Sequence, residues 1–172
     1  MGYQQNNSGN KGNSGGKQWE DKTFVPDAVP IKTFYKEDGK TILPDLFDTK
    51  ASEVAASFLG KNKVGKDMGV TSTQLRRIFD EVKRFEQILS TSPEQWNNQY
   101  PYIRMIKSKV AYTVARASKD KSEEAGVYKN LEKFISSCID LIRNRDDYEV
   151  FLSLFEAAYG FYYEKAPKSI AK

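Results

Sequence analysis

The 172-residue sequence contains no histidine and only one cysteine, Cys138. The lack of histidine removes the commonest general base and the usual metal ligand, and it excludes every catalytic triad that needs an imidazole. Cys138 lies among apolar residues at helical spacing, which indicates a small core residue rather than a reactive thiol. A lone cysteine is also typical of a reducing setting, so we expect a cytoplasmic protein.

Long apolar segments are missing as well. The sequence has no run of about 18 apolar residues, so we expect no contact with a membrane. Its first residues are mainly Gly, Asn, Gln, Ser and Lys, without an apolar region that could act as a secretory signal. Residues 1–18 are therefore predicted to form a disordered, low-complexity tail, because they contain too few apolar groups to offset the entropy of folding.

Short apolar clusters and three prolines alternate in residues 19–47. Because proline interrupts helices, this part is predicted to be an irregular extension that packs on a helical body. Within it, the segment TFYKEDGKTIL could form a small hairpin that turns at Asp38–Gly39. At the other end of the chain, residues 166–172 are predicted to be a flexible tail.

Helical periodicity extends over residues 48–165, which we predict to form an all-α bundle of about five helices. The first helix is predicted to begin near Asp48 and to end at Gly60, because glycine commonly follows a helix end. Thr71 and Gln74 have the spacing of a capping box and mark the start of the second helix. The last helix is apolar around most of its circumference, which is typical of a central bundle member or of a helix that meets another protein.

The segment GKNKVGKD, from Gly60 to Asp67, partly matches a phosphate-binding loop. Its two glycines and Lys66 fit the pattern, but Asp67 stands where the magnesium-binding Ser or Thr should be. The segment before it is predicted to be helical, so no strand–loop–helix cradle is available. We interpret this segment as a basic, flexible loop, and we expect no cofactor, no metal site and no enzymatic activity.

The most strongly charged stretch is YIRMIKSKVAYTVARASK, from Tyr102 to Lys119. At helical spacing its apolar residues form one stripe, which is predicted to face the core. Residues 100–121 carry a net charge of +5, against +4 for the whole chain. The side opposite the stripe is predicted to present four cations and one aromatic ring: Arg104, Lys109, Tyr112, Arg116 and Lys119. Such a rigid cationic ridge predicts a site for a nucleic-acid backbone.

The second helix carries a smaller basic patch. Most of its outer charges lie four residues from an opposite charge, and we interpret them as weak, solvated ion pairs. Arg76 and Lys83 are explained only partly in this way, because they lie two turns apart on one flank beside Phe79. Both are therefore candidate RNA-binding residues.

Together these residues resemble a known family, the small helical subunit of the type III-A CRISPR effector complex, also called the Csm complex. Three segments carry the resemblance: TSTQLRRIFDEV (71–82), YIRMIKSKVAYTVAR (102–116) and FEAAYGFYY (155–163). They are similar to the family's T-S-x-L/I-R helix start, to its Y-L-K-x-K/R-x-x-Y-x-x-G-R helix and to its F-E-A-L-V-A-Y-x-x-Y ending. None of the motifs is catalytic, and their order and spacing are more specific than any one of them.

The resemblance implies an all-α, non-catalytic subunit that stacks with copies of itself and serves antiviral defence. The implied partners are the guide CRISPR RNA, the target RNA, and the backbone and large subunits of the Csm complex. Base pairing reads sequence in such complexes, so the protein needs only sequence-blind contacts to phosphate and ribose. The resemblance assigns these contacts to a set of cations: Arg76, Lys83, Lys107, Lys109 and Arg116.

Three of these assignments stay open at the level of sequence. Arg76 is followed by Arg77 where the family usually has one arginine, so either side chain could face RNA. Lys107 lies at the margin of the apolar stripe and could instead snorkel from the edge of the core. Tyr112 could stack on RNA or pack against a neighbouring helix.

The sequence also permits a function of another class. The chain could be a helical adaptor that binds only protein partners, with its basic ridge solvated or covered by an acidic partner. An RNA titration separates the two hypotheses, because an RNA-contacting subunit loses affinity steeply as salt rises, whereas the adaptor does not bind RNA even at low salt.

Overall fold

The computed structural model describes residues 23–120 and 122–170. The disordered tail predicted for residues 1–18 lies outside these ranges. Within them the chain forms five α-helices and a two-stranded antiparallel hairpin, in this order: α1 (Ala51–Ser57), β1 (Leu59–Lys61), β2 (Asp67–Gly69), α2 (Ser72–Thr91), α3 (Trp96–Asp120), α4 (Ala125–Leu141) and α5 (Arg145–Lys165). The predicted all-α bundle of about five helices is confirmed.

The last helix, α5, occupies the centre of the bundle, as its apolar circumference indicates. The ring of Phe155 packs edge-on against Phe79 of α2 and against Phe134 of α4, with centroid distances of 5.5 and 5.8 Å. The hydroxyl of Tyr162, also on α5, donates to the backbone carbonyl of Val70 just before α2. Burial raises the pKa of Tyr162 well above its usual value, so the hydroxyl remains a donor. Each such buried ring contributes about 1.5–3 kcal/mol, and α5 thereby fixes α2 and α4 around it.

A side-chain cap sets the start of α2. The hydroxyl oxygen of Thr71 accepts a hydrogen bond from the backbone amide of Gln74 at 3.4 Å. A full capping box would also require the Gln74 side chain to bond the amide of Thr71. That amide instead donates to the hydroxyl of Tyr128 at 3.2 Å, which ties the start of α2 to α4.

The predicted end of the first helix at Gly60 is wrong, because the helix ends at Ser57 and Gly60 belongs to strand β1. The segment after it is therefore not only a flexible loop but includes both strands of the hairpin. The amide of Phe24 donates to the carbonyl of Lys61 at 2.8 Å, which adds the N-terminal extension to the hairpin edge. A Cβ atom at Gly60 would lie 2.5 Å from the backbone oxygen of Phe24, so this close approach requires glycine.

The basic helix α3 begins at Trp96, six residues before the predicted start at Tyr102. Pro101 lies inside it, although proline usually kinks or breaks a helix interior. Pro101 is exposed and stands close to the start of the helix, so the helix loses only the hydrogen bond to the carbonyl of Asn97. A helix of 25 residues tolerates that loss because its other turns are packed on α2 and α4.

The N-terminal extension packs along α4. The amide of Ile31 donates to the hydroxyl of Ser137 at 2.9 Å, and the Ile31 side chain joins the core. The amide group of Asn130 donates to two backbone carbonyls, those of Pro26 at 2.8 Å and Ser57 at 2.9 Å. Asn130 therefore links the extension, the end of α1 and α4 at one buried point.

Candidate nucleic-acid interface

The cations of α3 do not lie on one side of the helix. Arg104 and Lys109 are five positions apart, which places them about 140° apart around the helix axis. Lys109 and Arg116 are seven positions apart and lie within about 20° of each other. Because α3 packs against both α4 and α2, its cations separate into a group that faces α4 and a group that faces α2. The single ridge predicted from the sequence is therefore wrong in its geometry.

Arg104 and Lys107 face α4 and share one acid, Asp140. The Nη2 atom of Arg104 lies 2.9 Å from Oδ1 of Asp140, and the Nζ atom of Lys107 lies 2.7 Å from Oδ2. Arg104 also donates to the backbone carbonyl of Ile139 at 3.2 Å. The hydrogen bond from Lys107, followed by that from Arg104, lowers the pKa of Asp140. Both cations are thus engaged by α4, and Lys107 does more than snorkel from the edge of the core.

Lys109 faces α2 and contacts Glu81. Its Nζ atom lies 2.5 Å from Oε1 of Glu81, and Nη2 of Arg84 lies 3.0 Å from the same oxygen. Only 25% of the Glu81 side chain is exposed, compared with 69% for Asp120 at the end of α3. The hydrogen bond from Arg84, with a further contribution from Lys109, lowers the pKa of Glu81. Glu81 is therefore ionised at neutral pH and lies between two cations.

A groove of about 420 Å³ separates α2 from α3. Its lining includes three cations, Arg77, Lys109 and Arg116, and two acids, Glu81 and Asp120. Arg116 is only loosely paired, with its Nε atom 4.0 Å from Oδ2 of Asp120 and both side chains largely exposed. In the part of the chain that the structure describes, Arg77 forms no ion pair. The groove therefore offers accessible positive charge between two packed helices.

Tyr112 lies on the rim of the same groove and is 70% exposed. The alternative that it packs against a neighbouring helix of the bundle is wrong, because the described residues leave most of Tyr112 exposed. Tyr112 and Arg116 are four positions apart and occupy one face of α3. Lys119 is exposed in the last turn of the helix and lies outside the groove lining.

Arg76 and Lys83 lie on the other flank of α2, which faces α5. The Nε atom of Arg76 lies 3.7 Å from Oδ2 of Asp80, and the Nζ atom of Lys83 lies 3.7 Å from Oε1 of Glu156 on α5. Lys83 also lies 5.7 Å from the ring centroid of Phe79. These two cations share a flank, as the sequence predicts, but that flank is not the one that faces α3.

The structure adds Arg77 to the candidate residues. The sequence left Arg76 and Arg77 as equal alternatives, and the position of α3 decides between them for the groove. A usable signal was the spacing of Arg77 and Glu81, four positions apart, which places both on the α2 face that Lys109 contacts. Thr71 was recognised only as a cap, although it also lines the groove.

The acids, the cysteine and the lengths of the helices bear on other kinds of site. In residues 23–120 and 122–170, no three His, Cys, Asp or Glu side chains lie together so that they could hold a metal ion. Cys138 is fully buried, and burial raises the pKa of its thiol well above the usual value, as expected for a core residue. None of the described helices has both the length and the apolar character needed to cross a membrane.

Comparison with known proteins gives a family. The family model described as Csm2 Type III-A matches residues 45–166, more than two thirds of the chain. The match spans all five helices and includes both helices that line the groove. Neither the curated proteins nor the solved structures gave a match. The chain therefore belongs to the Csm2 Type III-A family and is a small subunit of a type III-A CRISPR Csm complex.

Proposed function

We propose that this chain is a non-catalytic structural subunit that contacts the backbone of guide and target RNA through the groove between α2 and α3. It stacks with copies of itself along the RNA and contacts the backbone and large subunits of the complex, and it serves antiviral defence in the cytoplasm. Family membership supports the place in the complex, because the family consists of small Csm subunits.

The observation that carries the RNA-binding proposal is the convergence of Arg77, Lys109 and Arg116 on one groove. These cations come from two different helices, and the bundle core fixes the distance between those helices. Phosphates that lie along the groove release their counter-ions, which supplies sequence-independent affinity. The exposed ring of Tyr112 at the rim offers a stacking surface for a base.

The remaining predicted residues have secondary roles in this proposal. Lys119 continues the positive surface beyond the groove at the end of α3. Arg104 and Lys107 face α4 outside the groove and share Asp140, and Arg76 and Lys83 lie on the flank that faces α5. We therefore rank the groove residues above the other candidates.

A matched pair of double variants tests this ranking. Lys109→Gln with Arg116→Gln removes two cations from the groove, whereas Arg104→Gln with Lys107→Gln removes two cations from the α4 side of the same helix. Binding of a labelled, unstructured RNA is measured by fluorescence anisotropy from about 50 to 200 mM salt. We expect the groove variant to bind at least about 10-fold more weakly at low salt. Its affinity should also fall less steeply as salt rises, by the equivalent of about one phosphate contact or more.

The control double variant should change affinity by less than about threefold, since Arg104 and Lys107 lie on the α4 side of the helix and outside the groove lining. Equal losses in the two variants would contradict the groove assignment. Thermal melts of both proteins show whether the bundle is intact, which we expect because none of the four side chains is buried.

The same variants can be read out in the assembled complex. Each copy contributes few phosphate contacts, so stacking several copies on one RNA multiplies a modest loss per copy. We expect complexes built with the groove variant to release target RNA at lower salt than complexes built with the control. Equal retention of target RNA by both complexes would argue against the proposed site.

One observation favours the adaptor hypothesis as a second candidate. Tyr102 and Met105 are both exposed on the outer face of the first half of α3, away from the groove. Such apolar side chains are typical of a protein contact. If this chain bound only protein, neither it nor the assembled complex would lose RNA affinity in the groove variant.

A further inference from the structure

Lys109 is the most firmly held of the three cations in the groove. Its ammonium lies 2.5 Å from Glu81, whereas Arg116 lies 4.0 Å from Asp120, and Arg77 has no ion pair among the described residues. Glu81 is also much less exposed than Asp120, so solvent screens its charge less. A phosphate that enters the groove therefore competes with Glu81 for Lys109.

Glu81 retains a partner when Lys109 leaves it. Lys109 and Arg84 contact the same carboxylate oxygen, Oε1 of Glu81, at 2.5 and 3.0 Å. Arg84 is held in place by the ring of Phe85, whose centroid lies 4.3 Å from its guanidinium carbon. Lys109 can thus turn towards a phosphate without leaving a half-buried carboxylate unpaired. The free-energy cost of the exchange is therefore small enough for a single phosphate contact to offset it.

We propose that Glu81 is a built-in competitor of the RNA phosphate: it occupies Lys109 in the free chain, lowers the affinity of the groove for RNA and yields Lys109 to phosphate on binding. This inference rests on the proposed function, since it concerns the regulation of the same groove. As a consequence, a single chain binds RNA outside the complex weakly. When several copies are aligned on one RNA, Lys109 of each copy exchanges Glu81 for a phosphate.

The test compares Glu81→Gln with Asp140→Asn, two substitutions that each remove one negative charge and each free cations of α3. Only the first frees a cation in the groove. Anisotropy titrations with the full chain and a labelled, unstructured RNA are made at about 50 mM salt and repeated as salt rises. We expect Glu81→Gln to bind about 3- to 10-fold more tightly, with a salt slope steeper by about 0.7, and Asp140→Asn to change affinity less than twofold.

A double-mutant cycle identifies the cation on which Glu81 acts. Lys109→Ala should weaken binding, and adding Glu81→Gln to it should give less than about a 1.5-fold further change. If Glu81→Gln strengthens binding equally with and without Lys109, the effect is one of general charge and the inference is overturned.

The outcomes also separate this inference from the proposed function. If Lys109→Ala weakens RNA binding but Glu81→Gln does not strengthen it, the groove binds RNA and Glu81 is not a competitor. If Lys109→Ala leaves RNA binding unchanged, the groove assignment fails, and the inference fails with it. Circular dichroism melts of all variants exclude unfolding as the cause of any loss.

Discussion

Replacing Asn130 with alanine should loosen the N-terminal extension from the bundle. Only 5% of Asn130 is exposed, and its amide group donates to the carbonyls of Pro26 and Ser57 at 2.8 and 2.9 Å. The Ser57 carbonyl is at the end of α1, where no further helical amide is available to it. Asn130→Ala therefore removes two hydrogen bonds and leaves two carbonyls without these donors.

The expected cost follows from that geometry. Each lost bond costs about 1 kcal/mol net, and a buried carbonyl left without a donor costs about 1–3 kcal/mol, so we expect a loss of about 2–4 kcal/mol in the free energy of unfolding. For a domain of this size, that loss lowers Tm by about 5–15 °C. The measurement is chemical denaturation followed by circular dichroism, with a thermal melt as a second readout.

Asn98→Ala is the matched control, because Asn98 is exposed and its amide group donates only to the side chain of Gln95. We expect this control to change stability by less than about 0.5 kcal/mol. Hydrogen exchange adds a local readout: in Asn130→Ala the amides of Phe24 and Lys61, which pair the extension with the hairpin, should exchange faster. A stability for Asn130→Ala equal to that of the control would refute the reasoning.

Three further predictions concern the groove and the hairpin. Tyr112→Ala should weaken RNA binding by about 1–3 kcal/mol if the ring stacks on a base, while Tyr102→Ala, an exposed tyrosine on the same helix, should not. Gly60→Ala should lower the free energy of unfolding by about 1–3 kcal/mol because its Cβ meets a backbone oxygen, whereas Gly160→Ala, with open space around it, should raise it by about 0.5–1 kcal/mol. The pKa of Glu81 in the folded protein is lowered from 4.5, so its ion pairs stabilise the protein above that pH. This contribution is lost as pH falls through the folded-state pKa. In urea titrations, the difference in stability between the wild type and Glu81→Gln should therefore shrink on acidification.

The sequence predicted the bundle because each long helix carries its own apolar stripe. The stripe of α3, for example, contains Ile103, Ile106, Val110 and Val114, and all four are buried. The hairpin β1–β2 was missed because each strand has only three residues, too few to show an alternating pattern. The edge of β1 also pairs with Phe24, which lies more than thirty positions away in the sequence.

The candidate site was harder to predict than the fold because helix periodicity fixes angles but not neighbours. The angular separation of Arg104 and Lys109 follows from the sequence alone. Which of the two can line a groove is decided only by the positions of α4 on one flank and α2 on the other. The choice between Arg76 and Arg77 could not be made from the sequence for the same reason. Both are exposed on α2, and only the positions of α5 and α3 decide which one lines the groove.

The division of α3 into two flanks suggests how one helix can both hold the bundle together and bind RNA. On the α4 side, a single carboxylate contacts Arg104 and Lys107 at 2.9 and 2.7 Å, and these bonds help to join the two helices. On the α2 side a groove lies between the packed helices, and the cations that line it keep access to solvent. In our proposal Glu81 lowers the affinity of each groove by a small factor, and that factor is multiplied over every copy in the stack. Substitution of Glu81 should therefore have a larger effect on the salt at which the assembled complex releases RNA than on binding by a single chain.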